Sequence, residues 1–328
     1  MDRTKSYALI IFLMLLSISG NHSLFVTSQQ SSTPQSCTIA TLSIGDSVLF
    51  GNNEDYSMKG TAFWFVPSDT GYGAVIFGYY GNWHPADGFA QGGMNEMGLC
   101  CDANALSDAP LNAKPELEPA PFDFFPPILE ECATVNDTIN WFQTHDFGPV
   151  AHGQFHFADA NGDAVVISAG ENGEWAFSRL GDDEYLLSTN FNLVNPDNGW
   201  HPCWRYETAD EMLSEFNHEA NVTVSNLADV MQATIQTGAY PTQYTNIFNP
   251  KSLDFYVWHN GDFSEYRIYN LADELENLTE ITYHKIPVEL GEPDWFFPPQ
   301  LPVFVAIPVG IVAIVSILIV WYVKRRRK

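Results

Sequence analysis

Three tight turns, each set between runs rich in branched and aromatic residues, constrain the fold of this chain more than any other feature. Residues 38–43 and 47–50 flank Ile44-Gly45-Asp46, residues 154–160 and 163–168 flank Asn161-Gly162, and residues 254–259 and 263–269 flank Asn260-Gly261. Glycine and asparagine tolerate the positive φ that a two-residue turn needs, so each set predicts an antiparallel hairpin. Residues 174–179 and 184–189 suggest a fourth hairpin. Residues 61–66 and 73–80 read as further strands, and 91–101 as a turn entering a buried strand. Residues 128–147 predict two short helices. Residues 204–216 and 224–236 show helical spacing, with Leu227, Val230, Met231 and Ile235 on one face. The six prolines of residues 110–127 predict a surface loop over the core. Many antiparallel hairpins with helices between them make an α+β layered fold, one domain over 37–288.

Both ends carry membrane signals. Residues 1–5 are charged, 8–18 are almost wholly apolar, and Ser17, Ser19 and Gly20 are small. This is the three-part pattern of a secretory signal peptide over 1–20. A polar stretch, 21–36, reads as a leader or propeptide. At the other end, residues 303–323 carry no formal charge and Lys324-Arg325-Arg326-Arg327-Lys328 follows at once. Length and flank predict one transmembrane helix with a cytoplasmic tail, 324–328. Residues 289–302 form a Pro-rich stalk. The expectation is a single-pass protein of the cell membrane whose body is extracytoplasmic. Sequons at Asn136, Asn221 and Asn277 suit an exported chain.

Charge narrows the partners. The 328 residues carry a net charge of −26, and residues 37–300 hold 39 of the 40 acidic groups but only seven of the 14 Lys and Arg. Such a body repels phosphates, which excludes nucleic acid. Five cysteines, Cys37, Cys100, Cys101, Cys132 and Cys203, leave an odd thiol that is free or paired between copies. Four of them allow two disulfides, and a homo-oligomer stays open. Their spacing makes no zinc site, so metal ligands are expected to be none.

Cys37 follows the polar leader and opens the first strand. Cleavage before it would leave a cysteine with its own free α-amine, a group that titrates near pH 7.7–8 in model peptides. Nucleophile and base would then reside in one residue. An ordinary disulfide cysteine is the other reading of this position.

The ordered set Cys37-Thr38, Gly51-Asn52-Asn53-Glu54-Asp55-Tyr56, Gly93-Met94-Asn95-Glu96-Met97-Gly98-Leu99, Phe157-Ala158-Asp159-Ala160-Asn161-Gly162, Ser188-Thr189-Asn190, Arg205-Tyr206 and Tyr244-Thr245-Asn246-Ile247-Phe248 covers most of residues 37–269. It resembles the cysteine N-terminal nucleophile (Ntn) hydrolases of the choloylglycine hydrolase, penicillin V acylase and acyltransferase group, which act on linear amide C–N bonds. The resemblance implies a four-layer αββα sandwich with two antiparallel sheets. It also implies autocatalytic exposure of Cys37 as nucleophile. Asp55 would accept a hydrogen bond from the α-amine. Asn104 would donate to the oxyanion, Asn190 would be a second polar group near the tetrahedral intermediate, and Arg205 would favour the thiolate. No cofactor is implied, and the partner is a small-molecule amide substrate. Aromatics on early strands, Phe63, Trp64, Phe65, Tyr79, Tyr80 and Trp83, are expected at the pocket mouth, with Phe63, Phe65 and Trp83 touching substrate beside Asn52. One departure stands out: those enzymes commonly carry Arg where this chain has Asn52, so the family's charge beside the nucleophile is missing. Two other readings compete, a related cysteine dipeptidase and an inactive surface-binding ectodomain.

Overall fold

A computed structural model describes residues 37–57, 60–79 and 89–292. The expected signal peptide, leader, transmembrane helix and tail lie outside the described residues, as do Tyr80, Trp83 and most of the stalk. Among the described residues no helix is long and apolar enough to cross a membrane.

Two large antiparallel sheets carry the fold. In the first, β12 (Tyr185–Ser188), β1 (Thr38–Ile44), β2 (Ser47–Asp55), β15 (Thr242–Phe248), β16 (Asp254–His259) and β17 (Asp262–Asn270) lie side by side in that order. In the second the order is β11 (Trp175–Arg179), β10 (Ala164–Ala169), β9 (Val150–Ala158), β6 (Cys100–Pro110), β5 (Phe89–Asn95), β4 (Ala74–Tyr79), β3 (Thr61–Val66) and β18 (Thr282–Lys285). Two short pairs complete the strands, β7 (Glu118–Pro119) with β8 (His145–Asp146) and β13 (Phe191–Asn192) with β14 (Asn195–Gly199).

Strand alternation builds three apolar layers from these sheets. Ile39, Phe50, Phe248 and Phe255 of the first sheet meet Phe63, Phe65, Phe77 and Met94 of the second. The opposite faces of the same strands, Ala40, Leu42, Leu49 and Ile247, are covered by α3 (Trp204–Leu213) and α4 (Val224–Ala233) through Ala209, Leu213, Leu227, Val230 and Met231. Trp64, Ile76, Phe157 and Ile167 on the outside of the second sheet are covered by α1 (Phe125–Glu131) and α2 (Val135–Thr144). The result is helix, sheet, sheet, helix. Two single turns of helix, α5 (Leu271–Leu275) and α6 (Ile286–Glu289), add Leu271 and Ile286 to the edge of the central layer.

The three predicted turns form as hairpins. Asn260 and Gly261 both take positive φ, 56° and 69°, closing a two-residue loop between His259 and Asp262. At Asn161-Gly162 only the glycine does, and Asp159 Oδ1 secures the turn by accepting the Asn161 N–H. The fourth expected hairpin is a correction. β11 pairs with β10 in the second sheet and β12 pairs with β1 in the first. Between them Leu180 is buried in the central layer, which holds the connection as a crossover between sheets rather than a turn within one.

None of the five cysteines is in a disulfide, and all are buried. Cys100 faces the central layer and its neighbour Cys101 the outer helical layer, because adjacent strand residues point to opposite faces.

Candidate active site

Cys37 stands one residue before β1, the strand between β12 and β2 in the first sheet, and is 5% exposed. Its backbone is clamped from three directions. Asn190, just past β12, accepts the Cys37 N–H on Oδ1 at 2.8 Å. Asn104, on β6 of the facing sheet, donates from Nδ2 to the Cys37 carbonyl at 3.2 Å. Arg205, in the first turn of α3, donates from one guanidinium nitrogen to the same carbonyl at 2.8 Å and to Thr38 Oγ1 at 3.0 Å. Its other nitrogen reaches Asn190 Oδ1 at 3.0 Å. Gln154 on β9 donates to Asn104 Oδ1 at 3.3 Å and to the Thr189 and Phe191 carbonyls. The Asn104 amide is therefore oriented by a buried donor rather than free to flip.

Cys37, Asp55, Asn104, Asn190 and Arg205 thus come together around the peptide N–H and carbonyl of Cys37. The Asp55 carboxylate, expected on the α-amine, accepts from Thr242 Oγ1 at 2.5 Å and lies 3.5 Å from Arg205. The hydrogen bond from the Cys37 nitrogen goes to Asn190. Asp55 closes β2 opposite Thr242, so its side chain is committed to β15 and Arg205. Burial raises the Asp55 pKa well above the carboxylate range, and Arg205 pulls it back only in part. Arg205, expected to favour the thiolate, grips the carbonyl of Cys37 and so fixes the backbone of that residue.

The thiol itself donates to Glu54 Oε2 at 3.3 Å. Nothing in the sequence reading assigned Glu54 a role. Its other oxygen accepts from Gln91 Nε2 and from Tyr79 OH. Tyr244 OH in turn donates to Gln91 Oε1 at 3.4 Å. Burial, opposed by these hydrogen bonds, pushes Glu54 up to about 7. Burial also raises the Cys37 thiol well above its ordinary value, and Glu54, Asp55 and Asp102 add to the rise. Asp102, on β6, is raised by burial and by Glu54. The surroundings of this thiol are acidic, where the resemblance implies cationic ones. Asn52 is fully buried beside Glu54 and helps to hold its carboxylate charged, although neither amide atom has a partner in normal hydrogen-bond geometry. It pairs across the ladder with Asn246, whose amide is likewise unpartnered.

The site opens into a cavity of about 700 Å³ lined by Cys37, Glu54 and Asn104 at one end and by aromatics along its length. They include Phe89, Phe122, Phe124, Phe125, Phe147, Phe155 and Trp175. They come from β5, β9, β11, the start of α1 and the loops around α1 and α2, not from β3. Phe63 and Phe65, expected to touch substrate, are 0% and 1% exposed in the central layer. Strand alternation sends both inward, where Phe63 stacks on Phe77 and Phe65 packs at a tilt on Phe255, and sends Trp64 outward against Tyr283. Tyr79 touches Glu54 rather than the mouth. A signal for the true lining existed in the sequence: Phe122, Phe124 and Phe125 interrupt the Pro-rich loop, where solvent-facing residues would be polar. Among the described residues lining the cavity there is no Lys or Arg. Among the described residues, too, no cluster of His, Cys, Asp and Glu is arranged to hold a metal ion.

No family model matches this chain, and no curated protein matches it by sequence. Solved structures do match in fold. A variant of conjugated bile acid hydrolase from Clostridium perfringens aligns with a TM-score of 0.60 at 12% identity, over 76% of this chain and 97% of that one. A second variant of the same enzyme aligns at 0.58 and 12%, over 75% and 96%. Penicillin V acylase from Agrobacterium tumefaciens aligns at 0.58 and 12%, over 76% and 91%. In its two sheets and four layers, this chain shares the fold of conjugated bile acid hydrolase and penicillin V acylase.

Proposed function

We propose that the protein hydrolyses the C–N bond of a linear amide whose acyl part is apolar, with Cys37 as nucleophile after cleavage before that residue. The observation that carries this reading is the cavity: an aromatic-lined space of about 700 Å³ ends on a thiol flanked by an oriented amide donor, Asn104. The acyl chain lies among Phe124, Phe147, Phe155 and Trp175. The thiolate attacks the carbonyl carbon, and the second Asn104 amide hydrogen faces the developing oxyanion. The α-ammonium protonates the departing amine, and water, activated by the same amine, releases the acid from the thioester. Arg205 and Asn190 hold the Cys37 backbone still through these steps.

Glu54 and Asp123 in a lining rich in aromatics argue against a dipeptide, whose free carboxylate would be repelled and desolvated there. The same reasoning disfavours acidic conjugates. The reading extends to location: the signal-peptide pattern of residues 1–20 and the uncharged stretch 303–323 followed by the basic 324–328 support a body outside the membrane. Purified full-length protein tested on N-acyl amides of increasing acyl length, beside dipeptides and a Cys37→Ala control, decides the matter. Hydrolysis that favours apolar acyl groups and vanishes in Cys37→Ala is expected. Dipeptide cleavage alone, or activity in Cys37→Ala, defeats the reading.

A further inference from the structure

We propose that Glu54 is the base that takes the proton from the Cys37 thiol while the Cys37 nitrogen is still a peptide amide, so that Glu54 drives the cleavage that exposes the α-amine. The proposal rests on the reading that Cys37 becomes an N-terminal nucleophile. In that reading the α-amine serves as base only after it exists. Before cleavage the nitrogen is an amide N–H, already donated to Asn190 Oδ1, and an amide nitrogen accepts no proton near neutral pH. First cleavage therefore needs a different base.

The geometry supplies one. Glu54 Oε2 is the acceptor of the thiol hydrogen at 3.3 Å. Its partner oxygen is fixed by Gln91 and Tyr79, which leaves Oε2 turned to the sulfur. The other titratable groups facing this point are committed elsewhere. Asp55, next on β2, is bound to Thr242 and Arg205. Asp102 on β6 accepts the Ala103 N–H. Tyr244 on β15 donates to Gln91, and His156 on β9 bridges Thr41 and Ser188. Arg205 on α3 is held on backbone oxygen, Asn190 and Asp55. Asn52 carries no charge, so it does not draw Glu54 into an ion pair that would weaken it as a base.

The step balances without a further reagent except water. The S–H proton passes to Glu54 Oε2 as Sγ attacks the carbonyl carbon of residue 36. The C–N bond to Cys37 breaks, and the nitrogen takes the proton that Glu54 carried. A thioester between residue 36 and Sγ remains, beside a free α-amine. Water then hydrolyses the thioester, releasing the leader carboxylate and restoring the thiol. Because burial holds the thiol pKa high, the proton moves with the attack rather than before it.

The test uses full-length chains made in vitro and shifted into buffers from pH 5 to 9. The fraction beginning at Cys37 is read by mass spectrometry. Wild-type cleavage should slow as pH falls through about 7, where Glu54 gains its proton. Glu54→Gln should retain the leader, with cleavage slowed roughly 10²-fold or more, the usual scale for losing a general base. A second readout guards against misfolding: the rate at which iodoacetamide alkylates Cys37, mapped by peptide mass, should lose its step near that pH in folded Glu54→Gln. Folded Glu54→Gln that cleaves at the wild-type rate, or keeps the wild-type alkylation profile, overturns the role of Glu54. Cys37→Ala that loses the leader normally overturns self-processing itself. Amide hydrolysis is not part of either readout, so failure of the substrate reading shows up separately.

Discussion

Glu54 should cost the fold stability at the pH where it works, and the cost can be worked from the site. Its pKa lies near 7 in the folded chain against 4.5 as an ordinary side chain. Between those values the folded state binds more protons than the unfolded one, so stability falls as pH rises from about 4.5 to about 7 and then levels. The difference between the two pKa values corresponds to about 3 kcal/mol at 1.36 kcal/mol per unit. Glu54→Gln removes the ionisation and keeps an oxygen for Gln91 and Tyr79. The variant should match the wild type near pH 4.5 and exceed it by about 3 kcal/mol at pH 8, roughly 6–12 °C in Tm for a body of this size. Thermal unfolding of both proteins across pH 4–9 measures it, and because Glu54 also raises the pKa of Asp102 and of Asp55, easing their ionisation in the variant widens the gap at high pH. If the gap between variant and wild type is the same at pH 4.5 and pH 8, Glu54 is not buried against an uncompensated charge and the account of the site is wrong.

Asn104→Ala should lower amide turnover by roughly 10²–10³ through loss of one oxyanion donor, with intact cleavage before Cys37 as the control that the fold survives. Phe63→Ala should destabilise by about 3–5 kcal/mol in chemical unfolding, the usual cost of deleting a buried aromatic ring, without changing the preference among acyl lengths. Ala105→Phe, which puts a ring into the cavity, should raise KM for long apolar acyl groups far more than for short ones. Equal effects on both would place the acyl chain elsewhere.

Much of this protein was legible residue by residue. Gly45, Asn161-Gly162 and Asn260-Gly261 announced three hairpins because positive φ is a local demand that few residues meet. The apolar spacing of Leu227, Val230 and Met231 announced α4, since a helix face is written at a fixed interval. Cys37, Asn190 and Arg205 lie in an ordered set of motifs, Asn104 follows from the resemblance those motifs carry, and the four do meet. Local patterns could not say which face of a strand meets which neighbour. Phe63, Trp64 and Phe65 look alike in the sequence, yet the pairing of β3 with β4 and the stacking of two sheets place the first and third in the core and the second beneath Tyr283. Residues 175–179 and 185–188 look like one hairpin, yet belong to two sheets because Leu180 is drawn into the layer between them. Glu54 is the sharpest case. By type and position it is an acidic residue beside the expected Asp55. Only packing of β2 against β4, β5 and β6 removes its water, turns one oxygen to the Cys37 sulfur and makes it basic, because desolvation and the direction of a hydrogen bond are properties of everything that surrounds a side chain rather than of its neighbours in the chain.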